Sequence, residues 1–549
     1  MNSNQWPRII IPDRINIAEW MNEKFSLYSK LLFLVDDQND RYISYGHVYD
    51  DIHRLMNVFR KQKISSKSTI AIITNSNDNS YEHIITLMAI LMIGAKLVIF
   101  DHDDDNNLTN EQLQQAIKQC NITNLVVISS SLKHHHDPYN LCEQFKSHFS
   151  VWFGEKNRQQ QQQQQRHTSI NTDEQCDNNI RYYMLDISKD YSRFNLDNEK
   201  SGQTMRKTTA TKTCRIIVAK FKAKTIITKL YNIDDFDLFL QLTYATLPEC
   251  GFEWNMNDII LNMNGMSNLI SILELLIILS IGAQFIINTG HLKSNSYGLC
   301  IDRFVNLINK YNVTTCLLNS HYLIDLLKWP STTKTFQINS LTKILHFSQP
   351  FHSNIIKDLR NRFEQIQTCR FVLYSLDSNG FAMIQSISEP ISYMEPWPMI
   401  EIKLLDWNTD NIIDVSNNDK QQQGQPGHLY IRFDCQQQQQ SDWINTGFIG
   451  FYDYKHRLQI IDRNKNFIKI QEKRFSKTLI ETILLSLPSI QRASVKSIID
   501  DDDDGQSILT IDITMNESNE QSNNTVNEFQ KQLQHYFDKN IIEKFKFNI

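Results

Sequence analysis

Short, continuously apolar segments alternate with amphipathic ones along most of this chain. Tyr81 to Ile93 is apolar at helical spacing and leads through Gly94 into the apolar segment Leu97 to Phe100. Asn110 to Gln119 then precedes another apolar segment, Leu125 to Ser129. Apolar strands separated by amphipathic helices are typical of parallel sheets that helices cover on both faces. The sequence therefore predicts an α/β fold built from doubly wound lobes.

The same order of elements returns between residues 258 and 373. The predicted strands are Asp258 to Leu261, Gln284 to Ile287, Val313 to Leu318, Thr342 to Phe347 and Arg370 to Leu373. The predicted helices are Asn268 to Leu279, Leu299 to Lys310, Tyr322 to Lys328 and Ser353 to Arg362. Because 549 residues exceed what one hydrophobic core usually organises, we expect these two regions to form separate lobes.

The pattern changes after Ile400. Short strands with turn signals follow, at Ile402 to Leu405, His428 to Arg432 and Leu458 to Ile461. Past Asp462 a new α+β pattern begins, with predicted helices at Ser476 to Ser486 and Asn527 to Phe537 and predicted strands at Ala493 to Ile499 and Ile508 to Ile513. We therefore expect three regions: α/β lobes at residues 1–399, a β-rich subdomain at 400–461 and a small α+β domain at 462–549.

Low-complexity tracts interrupt the chain at Gln159 to Gln165, Gln421 to Gln423, Gln436 to Gln440 and Asp500 to Asp504. Such runs cannot bury apolar surface, so they mark solvated loops. The stretch 156–212 is polar except around Arg181 to Ile187, and it predicts a flexible insertion that carries one short strand.

Charge and cysteine content exclude several classes of function. The chain has 56 Lys and Arg against 61 Asp and Glu, and it has no large basic block, which argues against nucleic acid as a partner. Its nine cysteines are odd in number and form no C-x-x-C pair, so neither a disulfide framework nor a zinc site is indicated. A run at His134 to His136 predicts a loop, because adjacent ligands cannot all converge on one metal ion.

Targeting and membrane segments are not indicated. Met1 to Asp13 holds no apolar run of signal-peptide length. Leu269 to Ile287 is long enough to span a bilayer, but it carries Glu274 near its middle, which predicts a buried helix running into a buried strand. The expected location is the cytoplasm.

Several strings resemble the adenylate-forming superfamily, specifically the acid–CoA ligases related to 4-coumarate–CoA ligase and firefly luciferase. They are NIAEW at Asn16 to Trp20, YISYGHVYDDIHRLMNVFRKQKI at Tyr42 to Ile64, YEHIITLMAILMIGAKLVI at Tyr81 to Ile99, GQPGHLYIR at Gly424 to Arg432, WINTGFIGFYD at Trp443 to Asp453 and IIDRNKNFIKI at Ile460 to Ile470.

This resemblance implies a two-step reaction. A carboxylic acid reacts with ATP and Mg²⁺ to give an acyl-adenylate, and the acyl group then passes to CoA while the C-terminal domain rotates. The resemblance also implies a peroxisomal location for many relatives, although the chain ends without their Ser-Lys-Leu-type signal.

The phosphate loop departs from the family pattern of Ser, Thr and Gly ending in Pro-Lys-Gly ahead of a helix. The corresponding stretch, Thr211 to Tyr231, contains no glycine, although Lys220, Lys222 and Lys224 offer charge. An alternative lies upstream, at Thr208 and Thr209 with Ser201-Gly202, although that stretch is more typical of a polar insertion. A lysine side chain does not replace a ring of fixed backbone N–H donors. The whole chain has 15 glycines, where average usage gives roughly 38.

The adenine-contacting Gly-Ala-Ala-Pro loop corresponds to Phe347-Ser348-Gln349-Pro350, in which the proline alone is kept. The family's Tyr-Gly-x-Thr-Glu corresponds to Tyr374-Ser375-Leu376-Asp377-Ser378. The resemblance implies that Tyr374 stacks on the base. The metal-associated glutamate is replaced by Ser378, and Asp377 stands one position earlier.

The Thr-Gly-Asp turn becomes Thr446-Gly447-Phe448, and a phenylalanine cannot accept hydrogen bonds from ribose hydroxyls. Asp462 and Arg463 match the family's hinge and its ribose-contacting arginine; the alternative for this pair is an exposed turn between two domains. The expected nucleotide-site residues are therefore Tyr374, Asp377, Thr446 and Arg463, with Asp462 as hinge and no metal ligand.

The C-terminal domain also departs from the family. Its Lys-Gly pair corresponds to Gln471-Glu472, and the chain ends at Ile549, before the family's catalytic lysine, which shortens the domain. Lys539, Lys544 and Lys546 near the end are typical of solvated surface. A pocket for the acid is expected around Asn262 to Ile270, where Gly265-Met266-Ser267 stands in place of a common histidine; Tyr322, Trp329 and Phe336 either line it or belong to the core.

Three functions remain open at this point. The first is a working acid–CoA ligase. The second is a pseudoenzyme of the same fold, including a non-catalytic protein that binds a fatty or aromatic acid or a protein partner. The third is a damaged gene product without function. The sequence does not decide whether ATP binds, which acid is used or how the chain assembles.

Overall fold

The computed structural model describes part of the chain. The described residues are 16–73, 80–101, 110–128, 149–153, 184–185, 214–222, 226–247, 251–266, 268–287, 300–328, 338–351, 353–375, 380–386, 393–398, 400–413, 424–433, 443–470, 473–485, 487, 490–499, 507–515, 529–531, 533–534 and 545–548. Asp377, Gln471-Glu472, His134 to His136, Trp329, Phe336, Lys224, Lys539 and Lys544 lie outside them.

The chain divides into two compact units; one is Ile9–His291, called the N-terminal unit here, and the other, the C-terminal unit, is Leu292–Ile549 together with Met1–Arg8. Helices of the N-terminal unit are α1 (Ile17–Leu27), α2 (Tyr45–Lys61), α3 (Tyr81–Ile93), α4 (Asn110–Gln119), α5 (Asp235–Thr246) and α6 (Leu269–Ile281). Its strands are β1 (Leu32–Asp36), β2 (Arg41–Ser44), β3 (Thr69–Ile73), β4 (Lys96–Asp101), β5 (Asn124–Ile128), β6 (Phe149–Phe153), β7 (Met184–Leu185), β8 (Cys214–Lys222), β9 (Ile226–Asp234), β10 (Ile259–Asn262) and β11 (Gln284–Ile287).

Two sheets organise the N-terminal unit. One has the strand order β7-β6-β5-β3-β4-β8-β9 and is parallel except for the antiparallel pair β8–β9. In the other, β11 pairs in parallel with both β10 and β1, and β2 adds an antiparallel edge. Parallel strands joined by helices confirm the predicted α/β class.

The C-terminal unit contains four helices and fourteen strands among the described residues. Its helices are α7 (Ile301–Tyr311), α8 (His321–Lys328), α9 (Ser353–Arg362) and α10 (Lys477–Leu485), with a 3₁₀ turn at Asn464–Asn466. Its strands are β12 (Thr315–Asn319), β13 (Lys343–Phe347), β14 (Thr368–Ser375), β15 (Gly380–Gln385), β16 (Met394–Pro396), β17 (Ile400–Asp406), β18 (Gly427–Phe433), β19 (Ile444–Tyr452), β20 (Leu458–Arg463), β21 (Phe467–Ile470), β22 (Lys473–Ser476), β23 (Ile490–Ile499), β24 (Ser507–Met515) and β25 (Phe545–Asn548).

Three sheets order these strands. The largest runs β17-β18-β19-β20-β16-β15-β14-β13-β12, with β12, β13 and β14 parallel and the remaining neighbours antiparallel. A hairpin is formed by β21 and β22, and β23-β24-β25 make the last sheet. Each predicted strand and helix between 258 and 373 ends within about two residues of its observed position.

The local signals that bound the helices are visible at α6. Asn268 accepts a hydrogen bond from the Ser271 backbone, which caps the first turn, and Gly282 ends the helix in the left-handed region at φ 74°. β11 then begins at Gln284, as predicted for the apolar stretch. Within the described residues, no helix has the length and apolar character needed to cross a bilayer.

A buried carboxyl group lies in the middle of α6. The side chains of Glu274 and Asn262 are fully buried, and Asn262 Nδ2 donates to Glu274 Oε2 over 3.2 Å. Glu274 Oε1 has no partner among the described residues. Burial raises the pKa of Glu274 well above 4.5, because a charged carboxylate loses its hydration there. Folding therefore favours the neutral form of this side chain over the carboxylate.

We expect Glu274→Gln to remove a pH dependence of stability. A carboxyl whose pKa is raised by folding stabilises the fold below its unfolded pKa of 4.5, and that contribution falls as the pH rises through the folded pKa. Urea unfolding across the pH range should show the wild type losing stability relative to Glu274→Gln above pH 4.5, by up to about 1.4 kcal/mol per pH unit. If the free energies of unfolding of wild type and Glu274→Gln changed with pH in parallel, folding would not raise the pKa of Glu274, and the prediction would be wrong.

Candidate functional site

The loop after β13 adopts a conformation that its sequence does not favour. Ser348 has φ 83°, in the left-handed region that glycine usually occupies. Its hydroxyl donates to Asn319 Oδ1 over 2.6 Å, and its carbonyl accepts from Arg463 Nε over 2.7 Å. A strained backbone persists where its surroundings hold it, so these two contacts maintain the loop.

Ser320 and His346 support the same loop from beneath. The Ser320 hydroxyl donates to the Gln349 carbonyl over 2.6 Å and lies 2.9 Å from His346 Nδ1. In the Nδ1–H tautomer, the imidazole donates to Ser320 Oγ while the hydroxyl proton goes to the carbonyl. Burial lowers the pKa of His346 to about 3, which keeps the ring neutral. This pair therefore positions the loop.

Arg463 ends β20 and covers the loop from the other side. Besides its bond to the Ser348 carbonyl, its guanidinium centre lies 4.7 Å from the centroid of the Phe448 ring. Burial lowers the pKa of Arg463, and the neighbouring Asp462 carboxylate opposes that shift. The cation is thus held by a carbonyl and an aromatic face.

Phe448 itself belongs to the hydrophobic core. Its side chain is fully buried and contacts Phe371 edge to face at 6.1 Å between centroids. The turn before it is held locally: Thr446 Oγ1 donates to the Leu429 carbonyl over 2.8 Å, and Gly447 takes φ 75°. The Thr446 hydroxyl is therefore committed to the backbone of the neighbouring strand.

Tyr374 lies near the end of β14. Its ring meets Phe347 at 6.4 Å and Phe381 at 5.5 Å, both edge to face. Phe347 is the last residue of β13 and precedes Ser348, so Tyr374 and Arg463 both lie next to this loop, whereas Thr446 bonds the backbone of β18. Asp377 and Ser378 fall outside the described residues.

Asp462 is directed away from this loop. It is 1% exposed, and its Oδ1 accepts from Asn466 Nδ2 over 2.8 Å. Its Oδ2 accepts from the Ser476 hydroxyl. The expected hinge residue therefore joins β20 to the hairpin that follows it.

The stretch that corresponds to the phosphate loop forms a hairpin. β8 and β9 pair from Cys214↔Asp234 to Lys222↔Ile226, and residues 223–225 separate them. β8 also pairs with β4 on its other edge. Backbone N–H groups of a strand with two neighbours are used in the sheet ladders, so those of β8 cannot surround a phosphate.

Sequence reasoning missed Asn319, Ser320 and His346. A signal was present, because Asn319 and Ser320 follow β12 directly and β13 ends at Phe347. β12 and β13 are parallel, with Asn319 opposite Phe347, so their carboxyl ends meet at one edge. Side chains at that edge are the usual place to look for binding residues in α/β sheets.

Comparison with known proteins agrees with this architecture. The AMP-binding enzyme family model matches residues 23–210. A solved anthranilate CoA ligase, AuaEII in complex with anthranoyl-AMP, superposes with a TM-score of 0.74 at 13% identity over 100% of this chain and 95% of that one. The chain has the adenylate-forming ligase fold. The resemblance recognised in the sequence is thereby confirmed.

Curated relatives match a shorter part of this chain than the solved structure does. The chain is 21% identical over 219 residues to 4-coumarate–CoA ligase-like 9 of Arabidopsis thaliana, which is 37% of each protein. It is 25% identical over 223 residues to 4-coumarate–CoA ligase 1 of Petroselinum crispum, covering 36% of this chain and 38% of the relative. These alignments span less than two fifths of the relatives' own length.

We expect Arg463→Lys to lower the free energy of unfolding, because it loosens the loop after β13. A lysine keeps the positive charge but loses the planar group that bonds the Ser348 carbonyl and stacks on Phe448 at the same time. Unfolding in urea should show a loss of about 1–2 kcal/mol. The matched control is Arg54→Lys, whose half-exposed arginine pairs with Asp51 one turn earlier in α2 and which should change stability little. Equal effects of the two substitutions would contradict the role given to Arg463.

Proposed function

We propose that this chain is a non-catalytic relative of the acid–CoA ligases, which keeps the fold and does not form acyl-adenylates. The observation that carries this proposal is Phe448, fully buried beneath Arg463 at the position where the resemblance implies a ribose-binding carboxylate. An aromatic ring cannot accept a hydrogen bond from a ribose hydroxyl in the manner of a carboxylate.

The contacts that Arg463 makes within the protein support the proposal. Its Nε–H donates to the Ser348 carbonyl, and its guanidinium lies over Phe448. A nucleotide that displaced the guanidinium from Ser348 and Phe448 would break those contacts. Each ribose hydroxyl left unpaired would cost about 1–3 kcal/mol.

The hairpin β8–β9 also supports the proposal, because it lies where the resemblance implies a loop that binds the phosphates of ATP. Adenylation develops negative charge on the α-phosphate and the departing pyrophosphate, and backbone N–H groups aimed at that charge stabilise it. In β8 these groups serve the sheet instead. Loss of one such donor typically lowers turnover by about 10²–10³. The effects of several losses are not additive, but the loss of even one supports the absence of turnover at biological rates.

A second function competes because Arg463 and Tyr374 are retained. In it, ATP and Mg²⁺ convert a carboxylic acid to an acyl-adenylate with release of pyrophosphate, and CoA then displaces AMP to give the thioester. Both functions share one ligand class, and we infer that a small fatty or aromatic carboxylic acid is the ligand of the non-catalytic protein as well. A structural neighbour holds anthranoyl-AMP, which carries such an acyl group.

ATP–pyrophosphate exchange separates the two functions. We expect no exchange above the protein-free blank with a panel of fatty and aromatic acids, because no adenylate forms. In thermal shift measurements, ATP with Mg²⁺ should leave Tm unchanged, while a matching acid should raise it. Clear exchange that Arg463→Ala abolishes would overturn the proposal, and the variant excludes a contaminating ligase as its source.

Restoring an acidic residue at the ribose position should not restore activity. In Phe448→Asp a carboxylate would enter the core beside Phe371, and we expect a loss of about 3–5 kcal/mol in urea unfolding with no gain in exchange. The control Phe448→Leu keeps the site apolar and should lose about 1–2 kcal/mol. A folded Phe448→Asp protein with exchange activity would contradict this prediction, because one substitution would then have restored adenylate formation.

A further inference from the structure

Trp407 lies just beyond the end of β17 and contacts the hairpin β21–β22. Its ring meets Phe467 of β21 edge to face, with 5.1 Å between centroids and 77° between planes. The guanidinium centre of Arg474 in β22 lies 4.4 Å from the Trp407 ring centroid. Arg474 Nη1 also reaches the Trp407 carbonyl at 3.5 Å. One indole therefore touches both strands of the hairpin.

Asp462 holds the same hairpin at its base. Its carboxylate accepts from Asn466 in the 3₁₀ turn that leads into β21 and from Ser476 at the end of β22. Asn466 Nδ2 also lies 2.9 Å from Thr478 Oγ1, and Ser476 Oγ accepts from the Leu479 backbone in α10. The base of the hairpin and the first turn of α10 are thus joined through one buried carboxylate.

We propose that Trp407 is a clamp that keeps the segment after Asp462 in a single arrangement. The resemblance implies that the C-terminal domain rotates about the position of Asp462. Here such a rotation would separate Trp407 from Arg474 and Phe467. It would also take the Ser476 hydroxyl and the Asn466 amide away from the Asp462 carboxylate, which is 1% exposed and would keep the adjacent Arg463 backbone N–H as a donor. Losing hydrogen bonds to a buried charged group is costly, so the two sets of contacts oppose rotation together.

The clamp depends on the chemistry of Arg474 as well as on Trp407. A cation over an indole face gains from partial removal of water, and both side chains are half-buried. The planar guanidinium of Arg474 also stacks on the indole ring. The uncharged side-chain amide of a glutamine would lose the cation over that ring. The proposal concerns motion about the joint, so it stands whether or not the chain binds ATP.

Hydrogen exchange of the full-length protein tests the clamp. We expect Trp407→Ala to raise the exchange rate of backbone amides between residues 464 and 476 by about tenfold, because local opening then breaks fewer contacts. Amides of β18 and β19 should exchange as in the wild type. The matched control is Trp443→Ala, which removes a tryptophan contacted by Lys403 at 4.5 Å and Arg432 at 4.7 Å but not by the hairpin, and it should leave 464–476 unchanged.

Arg474 variants decide the matter if Trp407→Ala does not fold. Arg474→Gln should accelerate exchange of the same amides several-fold, and Arg474→Lys, which keeps a cation over the ring, should do so less. Wild-type amides at 464–476 that already exchange as fast as those of Arg474→Gln would overturn the clamp. Equal acceleration by Trp443→Ala would do the same, because the effect would then be general destabilisation.

Discussion

Two consecutive side chains at the end of β20 hold the C-terminal unit together. Neighbouring residues of a strand point to opposite faces, so Arg463 and Asp462 reach in opposite directions. Arg463 bonds the Ser348 carbonyl and sits over Phe448, while Asp462 takes hydrogen bonds from Ser476 and Asn466. The loop after β13 and the hairpin β21–β22 are thereby tied to one strand.

Phe448 belongs to the hydrophobic core for a physical reason. A carboxylate there would need partners in a water-poor environment, whereas a phenyl ring gains free energy by leaving water and by contacting Phe371. Once the ring is buried, Arg463 finds its partners within the protein. The strained Ser348 then depends on that arginine, so the site is stabilised in a form that lacks the hydrogen-bonding groups expected around ribose.

Much of the α/β framework could be predicted from hydrophobic periodicity. The helix Ser353–Arg362 and the strand Gln284–Ile287 were predicted to the residue, because capping residues, Gly282 and apolar runs are local signals. The hairpin β8–β9 was missed, since Thr211 to Tyr231 was assigned by its spacing to a phosphate loop although its β-branched residues suit strands. The Ser320–His346 pair was missed because the two residues are distant in sequence and meet through strand pairing alone.

The amino-acid sequence alone determined the class of fold and the order of helices and strands, and it placed a phenylalanine, Phe448, where the resemblance implies a ribose-binding aspartate, because these follow from residue type and local spacing. The tertiary structure decided what those residues do. Burial of Phe448, the left-handed Ser348 and the contacts of Trp407 with Arg474 depend on groups brought together from strands up to 115 residues apart, as Ser348 and Arg463 are. Local sequence does not encode such contacts, since their energies arise from the burial and pairing that only the folded chain provides.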